Sequence, residues 1–254
     1  MPEFRFVELL GVRVNAAPFE DAVQTVLNAP DAGARLAIHF ANAHSMVEAN
    51  RNPELRSAMN RDLIEPDGMP LVLLARRRGV KAERVCGPDF LPALVGRGVP
   101  LGHTHFFFGR APGVLEELAR RLVKAYPGLR VAGTLSPPFR EPTPEEEESL
   151  VAEINAAKPD YVWAGLGAPK QDLWVAAHRE RLDASALLAV GAAFDFHSGK
   201  KRRAPRWMQR TGTEWLFRLL HEPRRLASRY TVVNAHFLLL VLKEGLRGRR
   251  SDRA

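Results

Sequence analysis

The chain has 254 residues, 46% of them hydrophobic, with 37 Lys/Arg against 29 Asp/Glu and a formal net charge of +8. That length supplies one large or two small domains with an ample core. The single cysteine, Cys86, excludes a disulfide framework and a Cys-rich zinc site. The opening MPEFRFVELLGVRV has no apolar h-region, so no signal peptide is expected and the cytoplasm is the expected compartment.

In chain order, Arg35–Ala41 is apolar and β-compatible. Asn52-Pro53-Glu54 opens a short helix to about Met59. Leu63-Ile64-Glu65 reads as a strand ending at Pro66-Asp67-Gly68, and a helix follows from Met69 to Arg78. His105–Phe108 is a strand, and the helix Val114–Tyr126 is stopped by Pro127-Gly128. Arg130–Thr134 is the next strand. Thr143-Pro144-Glu145-Glu146 predicts a helix start with Thr at the N-cap, Pro at N1 and Glu at N3 in a capping box. That helix should end near Ala157. Tyr161–Ala164 is a buried strand, and Leu187–Phe194 is read as the last one. Repeated β-α order with apolar strands predicts an α/β, Rossmann-like, mostly parallel sheet with helices on both faces.

After Gly199 the character changes. Lys200–Ala254 carries 15 Lys/Arg and 4 Asp/Glu, a net of +11, whereas residues 1–199 are slightly acidic. The basic character therefore belongs to a separable face and not to the fold. The expected division is an α/β catalytic domain over 1–199 and a C-terminal basic helical appendage over 200–254. Helices are predicted at Trp207–Leu220 and Arg224–Leu246, broken at Pro223. The run Tyr230–Leu242 is too short and too interrupted to span a bilayer. It reads either as a core helix or as an interfacial helix lying on anionic lipid.

Several residues could carry chemistry. Gly165-Leu166-Gly167-Ala168-Pro169 joins a strand to a helix, a turn that can present backbone N–H groups to a phosphate. Gly165 and Gly167 would allow close approach, and Pro169 suits the first helical position. Asp67 ends a strand at the sheet edge where ligands bind in open α/β folds; it reads as a general base or as a turn-capping residue. Asn42 and His44 follow another strand end and could face the same crevice. Arg84 could clamp a diphosphate with its fork of donors, or be a solvated surface arginine. Asp195 could bind a ribose or base, or cap a turn. No Gly-x-Gly-x-x-Gly follows the first strand, no Walker lysine loop is present, and no His/Cys cluster has zinc spacing. Nor is there an Asp-x-Asp pair to hold a metal on a nucleotide-sugar, so arginines and backbone N–H groups would have to stabilise a diphosphate.

Taken in order, Asn42-Ala43-His44, Pro66-Asp67-Gly68, Arg84–Asp89, Gly165–Gln171, Arg203-Ala204-Pro205, Glu214–Arg218 and Glu222–Arg225 resemble the WecG/TagA/CpsF family of bacterial glycosyltransferases. The resemblance implies inverting transfer of a sugar, N-acetylmannosamine-type or glucose-type, from a UDP-sugar to a polyprenyl-diphosphate-linked saccharide at the inner face of the membrane, with no metal cofactor. It implies Asp67 as the base, Asn42 as a donor-site residue, and Arg84 and Gln171 as ligands of the nucleotide diphosphate and sugar. It also implies that the C-terminal helices target an anionic membrane surface and lend arginines to the site, the matching candidates being Arg218, Arg224 and Arg225. Self-association is a further expectation from the family.

Three positions depart from the family pattern. Phe40 stands where many members have Thr, Asp172 where Glu is usual, and Thr213 where Leu is usual. Phe40 bears on the donor sugar more than on the reaction. The alternatives are a nucleic-acid-binding protein and a soluble nucleotide-binding oxidoreductase. The tail's lack of exposed stacking aromatics and the missing dinucleotide fingerprint count against them.

Overall fold

A computed structural model of the protein describes residues 5–251, with the side chains of 210, 224–230 and 247–251 outside the description. An antiparallel hairpin comes first, β1 (Phe6–Leu9) and β2 (Val12–Asn15), followed by α1 (Phe19–Leu27). Then β3 (Leu36–Ala41), α2 (Ala43–Arg51), α3 (Pro53–Arg61), β4 (Leu63–Pro66), α4 (Met69–Arg77), α5 (Gly87–Gly98) and β5 (Thr104–Phe108) succeed one another. The chain continues with α6 (Pro112–Ala125), β6 (Arg130–Leu135), α7 (Pro144–Ala156), β7 (Tyr161–Ala164), α8 (Lys170–His178), β8 (Ala186–Ala189) and α9 (Ala193–His197). It closes with α10 (Arg206–Thr211), α11 (Glu214–His221) and α12 (Pro223–Ser251). Six strands form one parallel sheet in the order β4-β3-β8-β7-β5-β6.

The central strands β7 and β8 are apolar and buried at every position and not only at alternate ones, as suits a sheet covered on both faces. Side chains alternate between faces. Phe107, Trp163 and Leu188 point into a core built with α1, α5, α6 and α9. Phe106, Phe108, Val162 and Leu187 point the other way, against Val151 and Ile154 of α7 and Val175 of α8. A third core joins the hairpin to α2, α3, α4 and α12, through Leu9, Val14, Met46, Leu55, Leu71, Val233 and Phe237. The α/β expectation therefore holds, and the Thr143 capping box is present, with Thr143 Oγ1 and Glu146 Oε2 each accepting the other residue's backbone N–H.

Two expected elements are different. The strand read as Leu187–Phe194 stops at Ala189; Gly191 at φ +55° turns the chain, and Ala193–His197 is helical. The helix read as Trp207–Leu220 is two helices, parted at Gly212, which has φ +74°. In each case a glycine takes the left-handed conformation that ends the preceding element.

Two buried polar pairs join the layers. His39, at the middle of β3, is fully buried between Asp172 (Nδ1 to Oδ1, 2.9 Å) and Asp62 (Nε2 to Oδ2, 3.0 Å), and Arg179 meets Asp62 at 3.0 Å. Burial pulls the imidazole's pKa down, but the two carboxylates outweigh it and raise it to about 9. The cation thus ties β3 to α8 and to the turn before β4. Asn15 donates to Glu65 Oε1 at 2.7 Å, which anchors the hairpin on β4. Burial pushes Glu65 up to about 7, against the opposing Asn15 bond. Glu65 Oε2 and Asn15 Oδ1 are both buried without a partner, which favours the protonated, neutral carboxyl.

Both pairs make stability fall as pH rises, in separate windows. Glu65 keeps its proton in the folded state above the 4.5 of the free group, so its destabilisation develops from about pH 4.5 to about 7. Glu65→Gln should therefore raise the unfolding free energy at pH 8 by up to roughly 3 kcal/mol and change little at pH 4.5; urea titrations at the two pH values measure it. The His39 contribution is fully present below 6.5 and is lost through about 9. His39→Gln should flatten the fall in melting temperature between pH 7 and 9.5 and lower the melting temperature at pH 6.

Candidate active site

Five strands end side by side at the carboxyl edge of the sheet, and the segments that follow them carry most of the residues picked out from the sequence. The spatial order is β4 (Asp67), β3 (Asn42), β8 (Gly191 and Asp195), β7 (Gly165–Gln171) and β5 (Gly109-Arg110). Four interstrand steps separate the first from the last, on the order of 19 Å. The edge therefore holds two groups of polar side chains, one at each end of an elongated site.

Asp67 leads the first group. Its backbone N–H donates to Ala41 O at 2.8 Å, so the turn after β4 folds back onto the end of β3. Asn42 lies beside it, its Cβ against Gly68. Asn42 caps α2, with Oδ1 accepting from His44 N (3.0 Å) and Ser45 N (3.4 Å). His44 is the second residue of that helix, with Nδ1 3.9 Å from Glu48 Oε1. Arg84 clasps Asp67 twice, Nε donating to its backbone O at 2.6 Å and Nη2 to Oδ1 at 3.3 Å. The same Nη2 donates to Glu214 Oε2 at 3.0 Å. Burial raises the pKa of Asp67; Arg84 and Arg218 pull it back, whereas Glu214 adds to the rise. The balance is a carboxylate with more proton affinity than a free one, held beside a permanent cation.

The C-terminal helices close over this group. Glu214 also faces Arg203 Nε at 3.5 Å, and Arg203 forms a two-pronged pair with Asp89, Nη2 to Oδ2 at 3.0 Å. Cys86 donates to the same Asp89 carboxylate, and burial keeps its thiol well above the usual range. Gly212, between α10 and α11, abuts Met69 just beyond Asp67. Arg218 lies within electrostatic reach of Asp67. Arg224 and Arg225 fall in the first turn of α12, where their side chains are outside the described residues. The basic linker is thus partly neutralised where it stands: Lys201 pairs with Glu222 at 2.9 Å and Arg203 with Asp89.

The glycine loop organises the second group, and its residues have jobs the sequence did not indicate. A Cβ on Gly165 would sit 2.4 Å from the Phe194 ring, and its N–H is taken by Phe108 O at 2.7 Å. Gly165 is therefore glycine because of packing. Gly167 has φ +88° and open space where a Cβ would go, which is the condition for ligand approach. Its N–H is held by Gln171 Oε1 at 3.0 Å, while Gln171 Nε2 donates to Ala189 O at 2.9 Å. Gln171 is 5% exposed and braces the loop against β8. Pro169 takes the N-cap position and not N1, after a cis Ala168–Pro169 peptide. Asp195, in α9 instead of at a strand end, faces Arg110, with Nη2 to Oδ2 at 3.3 Å.

Four residues escaped the sequence reading: Glu214, Arg203, Asp89 and Arg110. The first three lie inside quoted motifs, and only contact across more than 100 residues gives them meaning. Phe40 packs edge-to-face on Phe90 at 5.2 Å, so it fills the core. Asp172 is the partner of buried His39 and not a free acid at the site. Among the described residues, no group of three or more His, Cys, Asp or Glu is arranged to hold a metal ion.

These features define a doubly wound α/β protein whose arginines and one raised carboxylate gather at the carboxyl edge of the sheet. Residues 7–251 match the Glycosyl transferase WecG/TagA/CpsF family, and the chain belongs to that family. It is also similar to a Bacillus spizizenii protein described as N-acetylglucosaminyldiphosphoundecaprenol N-acetyl-beta-D-mannosaminyltransferase. The two are 29% identical over 187 residues, which cover 73% of this chain and 71% of that protein.

Glu214→Gln tests whether the carboxylate docks the C-terminal helices. Removing one charge from a half-buried pair should raise amide exchange across 206–221 by about 10- to 100-fold, while the strands β5 and β7 keep wild-type protection. Hydrogen-exchange mass spectrometry reads both segments in one experiment.

Proposed function

We propose that the protein transfers a sugar from a UDP-sugar to a polyprenyl-diphosphate-linked saccharide, with inversion, in the assembly of a cell-surface polysaccharide or teichoic acid. The observation that carries this reading is the Asp67–Arg84 pair at the crevice of a chain in this family. A single displacement at an anomeric carbon needs a base for the attacking hydroxyl on one face and a cation for the departing diphosphate on the other, and Asp67 and Arg84 supply one of each. The acceptor hydroxyl oxygen attacks that carbon, its proton passes to an Asp67 carboxylate oxygen, and the bond to UDP breaks with its electrons going to the β-phosphate. Arg84, and Arg218 with Arg224 and Arg225, stabilise the charge that develops on the leaving group. Asn42 lies beside the sugar, and His44 borders the same crevice. Gly165 and Gly167 shape the nucleotide end, Gln171 keeps that loop in place, and Asp195 accepts from the ribose or base. The Bacillus relative's printed acceptor, an N-acetylglucosaminyl diphosphoundecaprenol, suggests the acceptor class here, and its N-acetylmannosaminyl group suggests the donor type.

Such an acceptor is confined to a membrane surface. Among the described residues no helix is long and apolar enough to cross a bilayer. Leu238, Leu239, Leu242 and Leu246 of α12 nevertheless stand exposed on the most basic part of the chain, as do Leu220 and, against the expectation that the tail shows no exposed aromatics, Trp207 and Trp215. Apolar side chains among Lys and Arg suit reversible binding to the anionic inner face of a bacterial membrane, at about 1 kcal/mol for each basic residue near the surface. The same apolar face also supports self-association.

Asp67→Asn should lower turnover by about 10²- to 10⁴-fold and leave UDP affinity within a few-fold; UDP release with a short-chain lipid-diphosphate acceptor is the assay. Because the pKa of Asp67 is raised, kcat/KM should fall on the acid side at a pH above the ordinary carboxylate range, and Asp67→Asn should lack that limb. Turnover near wild type in Asp67→Asn would refute the assignment. Replacing Leu239, Leu242 and Leu246 together with Ser should release the protein from phosphatidylglycerol vesicles by tenfold or more, read by co-sedimentation. Truncating α12 is the wrong test, since its Val233 and Phe237 belong to the core.

A further inference from the structure

Arg110 directly follows Gly109 at the end of β5 and has φ +53°, a left-handed conformation that a non-glycine residue adopts rarely. Two features hold it there. Ser136 donates its hydroxyl to Arg110 O at 2.6 Å, tying the turn to the end of β6. Gly109 packs on the backbone of Gly165 and Leu166 so closely that a Cβ on it would lie 2.9 Å from Gly165 C. The turn after β5 therefore rides on the glycine loop after β7.

The side chain is directed across the loop and not away from it. Nη2 reaches Gly191 O and Asp195 Oδ2, both at a long 3.3 Å. Nε lies 3.2 Å from Asp195 Oδ1, out of line for a hydrogen bond, and is buried without a partner. A guanidinium has five N–H donors in a fixed fork. Here two are engaged weakly and a buried one is unmet, in a side chain that is still one-quarter exposed. Arg203 grips Asp89 more closely in the same molecule, Nη2 to Oδ2 at 3.0 Å, although its Nε too is buried without a hydrogen bond. The contacts of Arg110 lead straight to the loop. Gly191, whose carbonyl it touches, abuts the Gln171 amide, and that amide holds the N–H of Gly167, the position with open space before it.

We propose that Arg110 is a donor-binding residue that contacts a phosphate of the nucleotide, with Asp195 holding its fork toward Gly167. The proposal rests on the UDP-sugar reading above and adds a second cation, some four strands away from Arg84, at the nucleotide end of the crevice. Arg84 then lies at the end of the site assigned to the reacting carbon, and Arg110 meets a phosphate from the nucleoside side. The sequence alone could not suggest this, because Arg110 looks like any solvated residue in a Gly-Arg-Ala-Pro-Gly turn.

The test compares uridine, UMP and UDP binding to wild type, Arg110→Gln and Arg110→Lys by calorimetry, with melting temperature as the check on folding. The expected result is that Arg110→Gln weakens UDP and UMP by about 10- to 100-fold and leaves uridine unchanged, with Arg110→Lys between the two. UDP affinity within threefold of wild type in Arg110→Gln would overturn the proposal. So would an equal loss for uridine and UDP, which would mark a contact to base or ribose instead. If Arg110→Gln fails to fold, Arg110→Lys decides alone: UDP weakened at least threefold with uridine unchanged supports the phosphate contact, and any other pattern overturns it. Failure of the wild type to bind UDP at all would instead strike the functional reading, and that is seen before any variant is measured.

Discussion

The guanidinium of Arg84, set between Asp67 and Glu214, is the contact on which the candidate site depends. It bonds the backbone and the side chain of the proposed base, and it bonds a carboxylate from the C-terminal helices. Without it, the turn after β4 would carry a partly buried carboxylate with only Arg218 to offset its burial. Without Glu214, the arginine would face one anion fewer, and Arg203 would lose a carboxylate 3.5 Å away. The geometry of the base and the docking of α10 and α11 are therefore one electrostatic problem with one solution.

The same constraint explains why the basic tail is not simply a solvated appendage. Arg203 and Lys201 are used in pairs, and Val233 and Phe237 of α12 lie in a core shared with the N-terminal hairpin. Leu10 N donates to Glu244 Oε1 at 2.8 Å, so the tightest bend of that hairpin is tied to the last helix. One face of α12 is spoken for in this way, and the opposite face keeps its leucines exposed. A helix that is half core and half apolar surface fits the proposed meeting of this chain with a lipid-borne acceptor.

Much of the fold was legible because parallel strands buried on both faces read as unbroken apolar runs, as in His105–Phe108 and Tyr161–Ala164. Capping chemistry placed the start of α7 at Pro144 for the same local reason. The hairpin at Phe6–Asn15 was not legible, since its strands are four residues each and its turn is Leu10-Gly11, without an Asn-Gly or Asp-Gly signal. The residues after Ala189 were misread because an apolar run cannot reveal that Gly191 turns the chain.

At the site, local pattern picked out Asp67, Arg84 and the glycine loop, since strand ends followed by turns fall on the carboxyl edge of any such sheet. What each does depends on neighbours distant in sequence. Gly165 is set by the Phe194 ring, Gln171 by Gly167 and Ala189, and Asp172 by His39. The amino-acid sequence by itself determined the α/β alternation, the family and the edge of the sheet where chemistry can occur, because these follow from periodicity, turn residues and ordered motifs. Tertiary structure alone decided which charges meet, that Glu214 shares Arg84 with Asp67 and that Arg110 lies across the glycine loop, because a side chain's partner depends on which strands become neighbours.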